Sequence, residues 1–301
     1  MQEVEFAIEI VIGDDASTDQ TPTLLRNLAN RDSRIRLIHR QRNIGLVPNF
    51  YSTMSECRGR YVAVLDGDDF WTYPYKLQRQ LSLLKETQAV LCFHSCRLLS
   101  EKSGALIPGV GLSKTFYSDP IDLDQELINV STASAMFDKN ALPEIPREYT
   151  TLFNQDAPLW MLLSARGGVC YIPEAWSVYR VHPHGIWSSI SDIEKSERLA
   201  ETTKTIATVL GKEPDARAGM WKSFFQRRVK RHMHQTILNR VSCGRWKAAR
   251  RDVWQYLWGS PCPRFVPPRG HWGLYLRILL GRPSSLMKKY GDGNSSPPAY
   301  S

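Results

Sequence analysis

Residues 59–71 read GRYVAVLDGDDFW, an apolar run that ends abruptly in three aspartates. The run Tyr61–Asp66 predicts a buried strand, because strands covered on both faces are almost continuously apolar. Ligands of open parallel sheets lie beyond the carboxyl ends of the strands, which is where Asp66, Asp68 and Asp69 stand. Three carboxylates within four residues repel one another unless a cation neutralises them, and oxygen ligands suit Mg²⁺ or Mn²⁺. The segment therefore predicts a divalent cation that bridges a diphosphate.

A second acidic pair follows an earlier apolar run. Asp14 and Asp15 end the segment IEIVIGDD and precede Ser17 and Thr18. This pair fits the same ligand edge of the sheet, but it also fits helix caps and solvated turn residues, and the residues alone leave both interpretations open.

Short strand-like runs alternate with helical stretches over the first 100 residues, as in βαβ units. Besides Tyr61–Asp66, the predicted strands are Ile8–Gly13, Ile35–His39 and Ala89–Cys96. Helices are predicted to begin at Thr21, Val47 and Pro74, where a proline suits the first turn. The pattern predicts an α/β fold with a Rossmann-like, mostly parallel sheet flanked by helices.

The middle of the chain predicts further elements of the same domain. Residues 100–127 have little periodicity and predict a long loop. Ser131–Phe137 is a plausible strand, Asp156–Arg166 reads as an apolar helix opened by an acid, and Tyr171–Val181 is extended. For Asp156 alone, a helix acid favoured by the macrodipole is the plainer interpretation.

Beyond Ser189 the pattern becomes helical as far as Trp258, with Gly211 and Gly244 as breaks, and about 20 final residues read as a disordered tail. The expected domains are residues 1–190, a basic helical extension over 191–260, and a tail over 261–301 that contains a short amphipathic segment. Residues 1–210 carry 21 Lys and Arg against 26 Asp and Glu, whereas residues 211–301 carry 18 against 4. A basic segment of this kind suits an anionic membrane, an acidic partner or nucleic acid.

Composition excludes several classes of protein. With 42% hydrophobic and 23% charged residues, the chain is neither disordered nor a coiled coil. No run approaches the roughly 18 apolar residues of a membrane span, and the first residues lack the features of a signal peptide, so a cytoplasmic location is expected. The six cysteines include no CxxC pair, which argues against a zinc ribbon.

Five segments occur together in an order that matches a known family. IEIVIGDDASTDQT, RNIGLVPNF, GRYVAVLDGDDFW, NQDAPLW and YRVHPHGIWS resemble the nucleotide-sugar glycosyltransferases of family 2, which have the GT-A fold. The resemblance covers roughly residues 5 to 190. The family normally begins with a strand and helix ahead of the equivalent of IEIVIGDD, and this chain starts almost directly at that second strand. The absent strand predicts a form that is unstable or weakly active when expressed alone.

The resemblance implies a role for each acid. Asp15 corresponds to the carboxylate that hydrogen-bonds the nucleotide base, and Asp14 supports its loop. Asp66, Asp68 and Asp69 fall on the DxD-type motif near the ribose and the diphosphate-bound metal, with Asp68 and Asp69 on the metal side.

The later segments supply the remaining candidates. Asp156 matches the general base that takes a proton from the acceptor hydroxyl. Arg180 and His182 fall where the family contacts the donor diphosphate, and Thr132 and Trp187 are weaker candidates for the acceptor pocket.

The resemblance implies an inverting transferase with a nucleoside-diphosphate sugar donor, expected to be UDP-linked, and Mg²⁺ or Mn²⁺ as cofactor. The acceptor is a hydroxyl of a glycan or a lipid-linked sugar in cell-envelope polysaccharide synthesis. Because such acceptors are often lipid-linked, residues 211–301 are candidates for an anionic membrane surface at its inner face. Packing of these helices on the catalytic domain is the plainer alternative, and nucleic acid is disfavoured because no recognised binding motif accompanies the charge.

Two other functions compete with this one. A receiver-type signalling domain also places an acid pair and a further aspartate at strand ends to hold Mg²⁺, although this chain continues well past the length of such a domain. An inactive, truncated sugar-nucleotide-binding relic is the other alternative, favoured by the absent first strand.

Overall fold

A computed structural model describes residues 2–109, 112, 115–117, 130–210, 233–258 and 272–280. The described chain divides into two compact units. The first unit contains the residues up to Ser189 together with 208–210, and the second contains 190–207 and the residues from 233 onward.

The first unit begins with a small parallel sheet. β1 (Ile10–Asp14) pairs with β2 (Ile35–His39), and α1 (Thr21–Arg31) connects the two strands. α2 (Leu46–Ser55) follows β2 and packs closely on β1. A Cβ atom at Gly13 would lie 2.0 Å from Thr53 Oγ1, so this close approach requires glycine in β1.

The larger sheet of this unit carries the DGDD segment. Its strands in chain order are β3 (Tyr61–Ala63), β4 (Phe70–Trp71), β5 (Leu91–Ser100), β6 (Leu106–Pro108), β7 (Phe116–Tyr117), β8 (Met136–Asp138) and β9 (Val169–Val181). The spatial order is β3-β8-β5-β9-β4, with β6 added to β5 and β7 to β9. β5 and β9 run parallel, and the other described pairs of this sheet are antiparallel.

Two helices bury their apolar surfaces against this sheet. α3 (Lys76–Thr87) turns Leu77, Leu81 and Leu84 toward a core cluster formed with β5, β8 and β9. In α4 (Asp156–Ser164) every residue after Asp156 is buried. A helix that is apolar all round belongs in a core, and each fully buried large side chain contributes about 1.5–3 kcal/mol.

The second unit is helical. Its helices are α5 (Asp192–Leu210, which extends into the first unit at residue 208), α6 (residues 233–242), α7 (Trp246–Trp258) and α8 (Trp272–Leu279). Buried residues of α6, α7 and α8 form its core cluster: Ile237, Val241, Ala249, Val253, Tyr275 and Ile278. Gly244 breaks the path between α6 and α7 with φ of +68°. Among the described residues, no helix is both long and apolar enough to cross a membrane.

The α/β fold class is confirmed, and the sheets are more mixed in direction than the βαβ pattern predicts. The expected strand Ser131–Phe137 is wrong in its first half, where Thr132–Ser134 forms a 3₁₀ turn and only Met136 begins β8. The strand expected over Tyr61–Asp66 ends at Ala63, since the chain leaves the sheet to form the acidic turn. The long loop expected over residues 100–127 contains two short strands, β6 and β7, because its chain pairs with β5 and β9. Most of its remaining residues, Gly211 and the final 20 residues lie outside the described residues.

Candidate functional site

The acidic turn after β3 is closed by its own backbone. The Asp69 amide donates to the Asp66 carbonyl oxygen at 3.2 Å, so the three aspartates share one turn. Asp69 is 8% exposed, and its Oδ1 accepts a hydrogen bond from the Arg180 amide at 3.0 Å. Asp69 Oδ2 is buried and has no hydrogen-bond partner among the described residues. A buried carboxylate oxygen of this kind is costly unless a further group, such as a cation, approaches it.

Asp156 begins α4 beside this turn. Its Oδ1 accepts hydrogen bonds from the Ala157 amide at 2.7 Å and from the Asn154 side chain at 3.0 Å. Burial raises the pKa of Asp156, and these two donors oppose that effect.

The carboxylates influence one another across the site. Burial, followed by the negative charges of Asp156, Asp69 and Asp68, raises the pKa of Asp66 to about 7, while a hydrogen bond from Thr132 opposes the rise. Burial and the same four carboxylates raise the pKa of the Tyr179 hydroxyl to about 12. The structure therefore brings the acidic turn, Asp156 and Thr132 together at one site.

Arg180, near the end of β9, and His182, just after it, face this cluster. His182 Nε2 lies 3.1 Å from Asp68 Oδ2, and the Arg180 side chain donates to the Asp68 carbonyl oxygen and contacts Glu101 at 3.4 Å. Burial raises the pKa of Asp69 to about 6, although the Arg180 amide lowers it. Arg180 and His182 thus stand where they can offset negative charge near the acidic turn.

Trp187 is placed differently from these two residues. Its ring lies 6.2 Å from the ring of Phe153, in the segment that precedes Asp156. No described contact joins it to the aspartates.

Asp14 and Asp15 are tied to another part of the unit. Asp15 accepts hydrogen bonds from the Ile44 and Gly45 amides at 2.8 and 2.9 Å, which fixes the connection from β2 to α2. Asp14 accepts from the Ser17 amide and lies 2.8 Å from His39 Nδ1. Although burial opposes ionisation, the bonds to Ser17 and His39 hold the pKa of Asp14 below its usual range.

The donor set fits a cation that is completed by substrate. Among the residues that the structure describes, no group of three or more His, Cys, Asp or Glu side chains is arranged to hold a metal ion. Mg²⁺ is commonly bound by one or two carboxylates together with substrate phosphates and water, so a full protein cage is not required. Asp68 and the orphaned oxygen of Asp69 supply the hard oxygen donors for such a site.

Sequence reasoning missed several residues that support the site. Tyr51 donates to the Gln155 carbonyl oxygen at 3.0 Å and so fixes the residue before Asp156. Lys76 and Gln80 lie on the buried face of α3. The sequence could have indicated this pair, because Lys76 and Gln80 are four residues apart on the apolar side of an amphipathic helix. A charged residue at such a position needs a buried hydrogen-bond partner.

The first half of the chain matches a known protein family. Residues 5–145 match the family model described as glycosyl transferase family 2. An uncharacterized protein of Mycobacterium tuberculosis is 34% identical over 193 residues, which cover 62% of this chain and 54% of that protein. The chain therefore spans about half the length of the first relatives that it matches.

Two named relatives are more distant. The putative teichuronic acid biosynthesis glycosyltransferase TuaG of Bacillus subtilis is 28% identical, with 60% of this chain and 70% of TuaG covered. The UDP-Glc:alpha-D-GlcNAc-diphosphoundecaprenol beta-1,3-glucosyltransferase WfaP of Escherichia coli is 27% identical, with 53% and 60% covered.

Solved structures support the fold. Residues 1–349 of TarS from S. aureus superpose with a TM-score of 0.60 at 16% identity, over 84% of this chain and 73% of that one. The mannosyltransferase PcManGT from Pyrobaculum calidifontis, solved with GDP-Man and Mn²⁺, gives a TM-score of 0.52 at 15% identity, over 94% and 74%. The GT-A-type architecture expected from the resemblance is confirmed.

Proposed function

We propose, from the premise that residues 5–145 belong to glycosyl transferase family 2, that this chain is an inverting glycosyltransferase. It moves a sugar from a nucleoside-diphosphate donor, UDP-linked, to a hydroxyl of a glycan or lipid-linked acceptor in cell-envelope polysaccharide synthesis. The observation that carries the proposal is the convergence of Asp66, Asp68 and Asp69 with Asp156 at one site. The name of the relative WfaP, which specifies UDP-Glc and a diphosphoundecaprenol-linked sugar, supports the choice of donor and acceptor.

Asp156 is the proposed general base. Its carboxylate accepts the proton of the acceptor hydroxyl as the oxygen attacks the anomeric carbon. Burial raises its pKa and so strengthens it as a base, while Asn154 and the Ala157 amide fix its direction. One base opposite the leaving group in an in-line displacement gives inversion at the anomeric carbon.

The opposite side of the site is proposed to bind the leaving diphosphate. Asp68 and Asp69 would hold Mg²⁺ or Mn²⁺, which supplies positive charge to the departing phosphate oxygens. Arg180 contacts the acidic turn and adds positive charge from β9, and His182, the residue after β9, contacts Asp68. The Mn²⁺ and GDP-Man named in the PcManGT complex support this division.

The other candidates take peripheral roles in the proposal. Asp15 binds the nucleotide base, for which its oxygens keep further acceptor positions beyond the bonds to Ile44 and Gly45, and Asp14 supports that loop. Thr132 and Trp187 lie on the acceptor side.

The experiment is a transfer assay with UDP-, GDP- and dTDP-sugars in Mn²⁺, run on the wild-type chain, on Asp156→Asn and on the exposed control Asp19→Asn. We expect Asp156→Asn to lose roughly 10²–10⁴-fold in turnover, the usual contribution of a general base, while UDP binding and the control stay unchanged. Equal turnover in Asp156→Asn and wild type would exclude this base. Donor binding without turnover in the wild type would identify an inactive relic instead.

The proposed location is the cytoplasmic face of a membrane, reached through the second unit and without a nucleic acid partner. Lys247, Arg250, Arg251 and Trp254 are all exposed on α7, and Trp254 is 61% exposed. Their spacing of i, i+3, i+4 and i+7 puts them on one helical face, opposite the buried core residues of the same helix. A basic face with an exposed tryptophan suits the interface of an anionic leaflet.

Vesicle sedimentation of the full chain tests this surface. Reversal of Lys247, Arg250 and Arg251 to glutamate is expected to abolish binding to phosphatidylcholine vesicles that contain phosphatidylglycerol, because the attraction is electrostatic. The matched control reverses three exposed basic residues of the first unit: Arg26, Arg31 and Lys85. Retained binding in the control, and loss of wild-type binding at high salt, is the expected pattern. Equal loss in both triple variants would assign the effect to net charge and refute the surface.

A further inference from the structure

Lys76, at the start of α3, is a buried lysine without an acidic partner among the residues that the structure describes. Its side chain is 0% exposed, and no described salt bridge includes it. The ammonium donates to Gln80 Oε1 at 2.7 Å and lies 4.1 Å from the centroid of the Trp71 ring. Burial lowers the pKa of Lys76 to about 7, and burying an ammonium costs several kcal/mol. A methionine would occupy similar space without that cost, so the ammonium is best explained by what it orients.

The group that Lys76 orients is the Gln80 amide. Lys76 Nζ donates to the oxygen of this amide and so holds its carbonyl end toward itself. The other end, Nε2, then faces two backbone carbonyl oxygens and donates to Ser134 at 2.8 Å and to Cys92 at 3.2 Å. A flipped amide would place its oxygen against these acceptors and lose both bonds.

Ser134 belongs to the 3₁₀ turn Thr132–Ser134, which is buried throughout. Its neighbour Ala133 accepts a hydrogen bond from Trp71 Nε1 at 2.7 Å. The carbonyl groups of Ala133 and Ser134 are thus held by Trp71 and Gln80, the same two side chains that contact the Lys76 ammonium. The position of this turn therefore depends on a cluster formed by Lys76, Gln80 and Trp71.

The turn presents one side chain to the acidic cluster. The carbonyl oxygen of Ala135, at the end of the turn, accepts a hydrogen bond from the Val64 amide at 3.3 Å, two residues before Asp66. The Thr132 hydroxyl lowers the pKa of Asp66, on which the charge of Asp156 also acts. A displacement of the turn would move this hydroxyl and change the relation between the two carboxyl groups. Asp69 is held separately, by the Arg180 amide of β9.

We propose that Lys76 and Gln80 are positioning residues for the transfer reaction, because they hold the turn that is bonded to the chain just before Asp66 and so keeps Asp66 in place beside Asp156. The inference rests on the proposed function for its kinetic consequence, although the coupling between α3 and the turn does not depend on activity. It acts on the carboxyl pair and leaves the donor contacts of β9 intact. Catalytic rate should therefore change more than nucleotide affinity.

The kinetic test compares Gln80→Leu, Thr132→Val and the double variant. Gln80→Leu is expected to lower kcat at least tenfold, with the Kd for UDP in Mn²⁺ within about threefold of wild type. If both residues act through one turn, the double variant should be little worse than the worse single variant. The matched control is Gln78→Leu on the same helix, whose amide oxygen accepts from the Glu5 backbone and whose kcat should not change.

Two results would overturn the inference: an unchanged kcat in Gln80→Leu, or fully additive losses in the double variant. A loss of urea stability without a change in kcat would assign Gln80 to the core alone.

A second readout separates this inference from the proposed function. The Trp71 indole N–H donates to the turn, so its ¹⁵N-resolved NMR resonance and hydrogen exchange report the turn directly. Gln80→Leu should shift this resonance, and Gln80→Leu and Lys76→Met should both speed the exchange of the N–H, whereas Gln78→Leu should do neither. The shift is not used for Lys76→Met, because Lys76 itself lies over the Trp71 ring. If the wild type transfers no sugar while the exchange responds, the function fails and the coupling stands. Unchanged exchange in both variants would refute the coupling.

Discussion

Asp66→Asn should stabilise the metal-free protein, and the gain should depend on pH. The pKa of Asp66 is raised from 3.8 to about 7, first by burial and then by Asp156, Asp69 and Asp68. Between these two values the folded state binds a proton that the unfolded state has released. Stability is therefore lost as the pH rises from about 4 to about 7.

The size of the effect follows from the pKa difference. About three pH units separate the two states, and each is equivalent to about 1.4 kcal/mol, which gives about 4 kcal/mol when the carboxyl group is fully ionised. At pH 4.5 only about 1 kcal/mol of this is lost, so the gain in Asp66→Asn should be about 3 kcal/mol larger at pH 8 than at pH 4.5. For a unit of this size the difference corresponds to roughly 6–12 °C in Tm.

The assay is urea and thermal unfolding of the full chain in EDTA, followed by tryptophan fluorescence across pH 4.5–8. Asp32→Asn is the control with a lowered pKa, because hydrogen bonds with Arg34 lower the pKa of Asp32 to about 2. Its effect on stability should be almost the same at pH 4.5 and pH 8, because the pKa values of both the folded and the unfolded state lie below this range. A gain in Asp66→Asn that is the same at both pH values, or a loss at pH 8, would show that Asp66 is not held among repelling carboxylates.

Three substitutions in the β1 and β2 region test the local geometry by urea unfolding. Ala16→Gly should raise the free energy of unfolding by about 0.5–1 kcal/mol. Ala16 has φ of +58°, where an L-residue costs about 1–2 kcal/mol, and the greater entropy of glycine in the unfolded chain offsets part of that gain. A lower free energy of unfolding would contradict this. Asp15→Ala should lose about 1–3 kcal/mol by leaving two amides unpaired, and it should weaken UDP binding in calorimetry. Gly13→Ala should lose about 1–3 kcal/mol because its Cβ would meet Thr53 Oγ1, and an unchanged midpoint would refute that contact.

Much of the fold was predictable from local patterns. Ile35–His39 is a strand with the predicted bounds, since apolar residues fill it and polar residues flank it. The helix expected from Pro74 begins at Lys76, and its Leu77, Leu81 and Leu84 are buried together. The aspartates of the acidic turn were also predictable from local patterns. The ends of strands can be located in the sequence, and in parallel sheets ligands bind beyond the carboxyl ends of the strands.

The turn Thr132–Ser134 was not predictable from its own residues. Small and apolar side chains such as those of STASAMF are compatible with a strand, and nothing local specifies a 3₁₀ turn. The turn is held by hydrogen bonds from the side chains of Trp71 and Gln80, more than 50 residues earlier in the chain. Tertiary hydrogen bonds of this kind override local preference and leave no periodic signal.

The sequence also did not show that Asp15 and the acidic turn have different environments. Both acidic segments follow predicted strands, so both were equally placed for a ligand. Only the structure shows that Asp15 uses its carboxylate on the Ile44 and Gly45 amides, whereas Asp69 keeps a buried oxygen without a partner among the described residues.

The central claim is that a divalent cation joins the carboxylates after β3 to the pyrophosphate of the donor. Calorimetric titration of UDP into the wild-type chain and into Asp68→Asn, each in Mn²⁺ and in EDTA, tests it most directly. We predict binding to the wild type in Mn²⁺ that weakens at least tenfold in EDTA, and weak binding by Asp68→Asn in both. Equal UDP affinity with and without the metal, or an unchanged affinity in Asp68→Asn, would contradict the account.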